Sequence, residues 1–144
     1  RLGVGKDADN LYITCKVKDG ELYSGGQGTQ KGSGVFIYLD TKNECLKEPA
    51  EGVYKVWCSY KGDITVWQGN KGKWENSELE GLQITPSVVS GGYELAFTIP
   101  LNRSFNKDAM RLCATLSTKT YTETLVHSNA DRSCTWMKMN LGGH

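Results

Sequence analysis

Val53-Tyr54-Lys55-Val56-Trp57-Cys58-Ser59-Tyr60-Lys61-Gly62-Asp63-Ile64-Thr65-Val66-Trp67-Gln68 is the stretch on which the fold turns. Side chains alternate in character through both halves, and Lys61-Gly62-Asp63 interrupts the pattern between them. That predicts two antiparallel strands joined by a tight turn. In the first half Tyr54, Val56, Cys58 and Tyr60 share one face, with Val53, Lys55, Trp57 and Ser59 on the other. In the second half Ile64, Val66 and Gln68 oppose Asp63, Thr65 and Trp67. The Val/Ile face is the expected core face. Keeping the two core faces aligned requires a three-residue loop, with Gly62 last and in a left-handed conformation. The register then sets Lys55 opposite Trp67 and Trp57 opposite Thr65. The two indoles become diagonal neighbours on the polar face, about 7–8 Å apart at the backbone.

The same period of two runs outward in both directions. Residues 11–18 alternate Leu11, Ile13, Cys15 and Val17 against Tyr12, Thr14, Lys16 and Lys18. Residues 35–39 are continuously apolar, as in a central strand covered on both faces. Residues 82–89 and 93–99 form a second hairpin through Ser90-Gly91-Gly92, and Pro100 ends it because it lacks the N–H that a ladder needs. Residues 110–116, 120–126 and 135–141 complete the strands. In the last of these Met137, Met139 and Leu141 are expected inward, and Trp136, Lys138 and Asn140 outward. The glycine-rich stretches 20–34 and 69–81, the latter holding Trp74, and the polar stretch 40–52 read as loops. About eight strands at this spacing predict an all-β fold: a two-sheet antiparallel β-sandwich, jelly-roll or immunoglobulin-like, in a single domain over 1–141. Residues 142–144 read as a tail, the stub of an expression tag. The start at Arg1, without Met or signal peptide, reads as a processed segment.

Composition removes several functions. Lys and Arg number 17 against 16 Asp and Glu in 144 residues, a formal charge of +1. A phosphate backbone calls for clustered basic excess, so nucleic acid is not an expected partner. No apolar run approaches the roughly 20 residues of a membrane helix. The five cysteines, Cys15, Cys45, Cys58, Cys113 and Cys134, include no C-x-x-C pair. They read as reduced structural residues, the alternative being one disulfide among Cys45, Cys58 and Cys134. Gly26, Gly28 and Gly32 precede a strand rather than a helix, so no helix N-terminus awaits a phosphate. His127 has no G-x-S-x-G elbow with it, and its separation from Cys134 does not make a nucleophile–base pair. Glu94 stands outward on its strand as a solvated carboxylate. No enzyme is expected.

The tryptophans say more. Trp57 and Trp67 on a polar sheet face, beside Lys55, Ser59, Asp63 and Thr65, offer indole surfaces together with hydrogen-bonding groups. A pyranose uses both, stacking its C–H face on a ring while its hydroxyls take polar partners. Trp57 and Trp67 are the expected platform, with Trp136, Trp74 and Tyr23 as alternates. Lys55, Gln68, Asn129 and Arg132 are the candidate hydroxyl partners.

Three segments, in order and spacing, resemble the signatures of family 9 carbohydrate-binding modules and related DOMON-like domains. They are Leu11-Tyr12-Ile13 with Val17-Lys18-Asp19, then Val35-Phe36-Ile37-Tyr38-Leu39-Asp40, then Gly92-Tyr93-Glu94-Leu95-Ala96-Phe97-Thr98-Ile99-Pro100-Leu101. The resemblance implies a non-catalytic antiparallel sandwich appended to a secreted or cell-surface glycoside hydrolase, with a polysaccharide or oligosaccharide as partner. Family 9 modules clamp a sugar between two tryptophans. This chain departs from that pattern, with no Trp in 27–32 and none at 127–129. Some members bind structural calcium, and Asp19 and Asp40 fall on matching acidic positions. Other DOMON-like domains bind haem, for which Met110, Met137, Met139 and His127 are the available ligands. A third reading is a sandwich that docks a protein through its Trp face.

Overall fold

The computed structural model describes residues 1–23, 32–117, 122–124 and 132–141. Its strands are β1 (Leu2–Lys6), β2 (Asn10–Lys18), β3 (Gly34–Asp40), β4 (Val53–Ser59), β5 (Ile64–Asn70), β6 (Lys73–Asn76), β7 (Gln83–Val89), β8 (Gly92–Pro100), β9 (Ala109–Ser117), β10 (Thr122–Thr124) and β11 (Met137–Asn140). They form two antiparallel sheets. The smaller has the order β1-β2-β8-β7, and the larger β10-β9-β3-β4-β5-β6, with β11 also paired to β9. This is the expected β-sandwich, with β1 and β6 in addition to the strands read from the sequence. Among the described residues, no helix is long and apolar enough to cross a membrane.

The core lies between the sheets. Leu11, Ile13, Cys15 and Val17 of β2 and Tyr93, Leu95, Phe97 and Ile99 of β8 pack onto Val35, Ile37, Leu39, Val56, Cys58, Met110, Leu112 and Ala114. Strict alternation in β2 and β8 leaves one face wet. In β3 it fails because the outward Tyr38 is buried too.

The β4–β5 hairpin has the anticipated register, Lys55↔Trp67 and Trp57↔Thr65. Gly62 has φ +94°, the left-handed geometry that lets the turn close. The reading of 69–81 as loop is corrected. It holds β6, which pairs with β5 through Asn70↔Lys73 and Gly69↔Trp74. Lys71 and Gly72 both have positive φ, as a two-residue hairpin turn requires.

Candidate functional site

The larger sheet has a second layer on the side away from the core. Its register gives one row of outward residues, Cys113, Tyr38, Lys55, Trp67 and Asn76, across β9, β3, β4, β5 and β6. The next row runs Thr115, Phe36, Trp57 and Thr65. On the other side, Arg111, Asp40 and Val53 line up across β9, β3 and β4, with Trp74 outward on β6 opposite Gly69. Period-two alternation on adjacent strands thus gathers six rings on one face, because Trp136, just before β11, packs there too.

Lys55 stands in the middle. Its ammonium lies 4.9 Å from the Trp67 ring centre, 5.2 Å from Phe36, 5.8 Å from Trp74 and 5.9 Å from Tyr38. All four distances fall in the range of cation–π attraction. The rings also touch one another: Tyr38 to Trp74 at 6.0 Å, Tyr38 to Trp136 at 5.7 Å, Phe36 to Trp57 at 4.8 Å and Phe36 to Trp67 at 6.4 Å. Phe36, Lys55, Trp67 and Trp74 are half-buried, so part of this cluster meets solvent.

Two tryptophans differ from expectation. Trp57 lies on the expected face but is only 2% exposed. Its ring packs on Phe36 and over Gly34, where a Cβ would stand 2.6 Å from Trp57 Cη2. Trp136 is outward as expected, yet only 3% exposed, held against Tyr38, Val53 and Cys113. Both support the layer from beneath or beside it, and Trp67 and Trp74 carry its open surface. Phe36 and Tyr38 were missed as members of the face. They belong to the uninterrupted apolar run, where hydrophobicity marks no single inward side.

The remaining candidates scatter. Gln68 points to the opposite side of β5, where its Oε1 accepts from Gly52 N at 3.0 Å and its Nε2 donates to Ser77 Oγ at 3.4 Å. There it lines a polar cavity of about 340 Å³ with Glu51, Asn70 and Glu75. Tyr23 is 45% exposed, and its backbone pairs with Ser33 at the far end of β3. Arg132 is exposed at the start of the 3-10 turn Ser133–Thr135 that leads into Trp136. Asn129, His127 and the 142–144 tail lie outside the described residues.

The acidic pair does not make one ion site. Asp19 Oδ1 accepts from Glu21 N and Oδ2 from Ser33 Oγ, just before β3. Asp40, at the other end of β3, accepts from Glu44 N and Cys45 N. Seven residues of extended chain separate Ser33 from Asp40, roughly 20 Å. Among the described residues no three His, Cys, Asp or Glu side chains converge. Met110 and Met139 are cross-strand neighbours in the inter-sheet core. Met137 shares their side by register but is 43% exposed, because it sits at the sandwich edge near β1. Met110 and Met139 are thus core packing residues, and Met137 meets solvent. All five cysteines carry free thiols. Cys15 and Cys58 are buried and pushed up to about 12 by desolvation, as unreactive core groups.

No protein-family model and no curated protein matches the sequence. Comparison with solved structures is more informative. A carbohydrate binding module family 9 from Caldicellulosiruptor kristjanssonii in complex with cellotriose superposes with a TM-score of 0.80, at 15% identity, over 99% of this chain and 74% of that one. Such a module from the same organism in complex with glucose gives 0.80 and 15% over 99% and 76%. The chain has the β-sandwich fold of family 9 carbohydrate-binding modules.

Proposed function

We propose that this chain is a non-catalytic carbohydrate-binding module, and that the outer face of its larger sheet holds the saccharide. The observation that carries this reading is the pair of half-buried indoles, Trp67 and Trp74, set around the Lys55 ammonium. Rings offered partly to solvent on a rigid sheet suit the apolar face of a pyranose, and Lys55, Thr65 and Asn76 supply donors and acceptors for its hydroxyls. The cellotriose and glucose held by the two similar modules support a saccharide as the ligand class. On this reading the module is secreted or displayed at a cell surface, where it tethers an attached glycoside hydrolase to plant cell-wall polysaccharide.

Affinity gel electrophoresis against xylan, β-glucan, mannan, xyloglucan and pectin tests it. The parent protein should be retarded by at least one gel, and Trp67→Ala or Trp74→Ala should weaken that affinity about tenfold or more, roughly 1.4 kcal/mol. Migration unchanged on every gel would sink the proposal. Retardation that survives both substitutions would place the saccharide elsewhere on the molecule.

A further inference from the structure

We infer that the aromatic face selects acidic sugars, a uronate carboxylate being received at Lys55; this rests on the saccharide reading above and sharpens it. A neutral sugar needs rings and hydrogen-bonding groups, which an amide or hydroxyl at the centre of the face would supply. This sheet instead places a full positive charge there. Tyr38 and Trp67 are the direct cross-strand neighbours of Lys55, and Phe36 and Trp74 stand diagonally, so rings border it on four sides. Ring carbon displaces water around the ammonium, and a charge pair is stronger where the surroundings are less polar than bulk water. An ammonium carries three N–H donors. Lys55 makes interactions beyond these rings, and an arriving carboxylate shares the group rather than requiring an idle one.

Along the described strands of this face the exposed charge has the same sign. Among the described outward side chains of the larger sheet, Lys55, Arg111 and Lys138 are cationic. The strand carboxylate among them, Asp40, is fully buried with its oxygens taken by backbone N–H groups. Asp63 stands at the hairpin end, bonded to Ser59. Arg111 is turned to Asn43 Oδ1 and the Trp136 carbonyl, Lys138 lies beyond it on β11, and Lys55 is the cation set over the open rings. With a whole-chain charge of only +1, the preference is local to this face and not general attraction to polyanions. Stacking supplies the hold on the ring, and a charge-assisted hydrogen bond supplies the choice of the acidic sugar.

The test uses the chain as it stands and a pair of ligands with the same sugar backbone, tetragalacturonic acid and its full methyl ester, charged and neutral respectively, titrated calorimetrically at low and physiological salt. The acid is expected to bind at least about tenfold more tightly than the ester, with the gap narrowing as salt rises. Lys55→Gln should remove the preference, Lys55→Arg should retain it, and Trp67→Ala should weaken both ligands. Equal affinity for acid and ester, or for a neutral xylo-oligosaccharide, would overturn the inference while leaving the saccharide reading intact. Polyglutamate binding as tightly as the sugar acid, or acid binding indifferent to Trp67→Ala, would overturn it in favour of plain charge attraction. Failure of every saccharide to bind would overturn both. The acid–ester comparison needs no substitution, so it decides the matter even where a variant does not fold.

Discussion

At the scale of single residues, alternation in the sequence identifies the side of a strand but not what lies over that side. Trp57 shows this. The β4–β5 pattern placed it correctly with Lys55 and Trp67, and its burial follows from Phe36 and Gly34, whose contribution no pattern in 53–68 contains. Tyr93 is a second case. Its ring is fully buried beside Tyr60, but among the described residues its hydroxyl has no hydrogen-bond partner. An unpaired buried hydroxyl is a cost that the folded state carries. Tyr93→Phe removes the oxygen and keeps the ring, so stability should hold or rise, by up to about 1–2 kcal/mol. Urea denaturation checks it. A loss of more than about 1 kcal/mol would mean that a buried water or another group satisfies the oxygen.

At the scale of elements, most strands were legible because each runs for seven to nine residues with a clear period. β6 was not, since Lys73-Trp74-Glu75-Asn76 is four residues long and bears one apolar side chain. A hairpin partner holds it in place, through a turn whose Lys71-Gly72 chemistry is visible only once the strands on either side are suspected. The candidate site was half legible for the same reason: Trp67 and Lys55 came with their hairpin, Trp74 was read into a loop, and Phe36 and Tyr38 were hidden in an apolar run. Element packing also explains Gly34 at the start of β3. A Cβ there would lie 2.5 Å from the Cys58 carbonyl oxygen and 2.6 Å from Trp57 Cη2. The carbonyl belongs to a paired strand and cannot step aside. Gly34→Ala should therefore destabilise the protein by about 1–3 kcal/mol and shift tryptophan emission, through strain between β3 and β4. Wild-type stability in that variant would mean that the two strands are not so closely apposed.

For the whole molecule, the consequence of the sandwich is a set of ionisable groups sealed between its sheets. Cys15 from one sheet and Cys58 from the other are each pushed from 9.0 up to about 12, chiefly by desolvation. Tyr93, fully buried, and Tyr54, only half-buried at the rim, are raised above 10.0 by the same cause. Every shift has one sign. In the unfolded chain the thiols ionise near 9.0, whereas the folded protein keeps them protonated to about 12. Between those values the unfolded state binds fewer protons, so the free energy of unfolding must fall as pH rises. Below about pH 8 both states hold these protons, and the groups add no pH dependence there. Urea denaturation from pH 7 to 10.5 should thus give a plateau to about pH 8.5, then a steady decline. Cys15→Val, which fills the same space without a titrating group, should make the decline shallower. Stability that stays level or rises across the alkaline range would show that these side chains are not sealed between the two sheets. The test reaches the fold itself, because Cys15 and Cys58 share one dry interior only if the two sheets face each other.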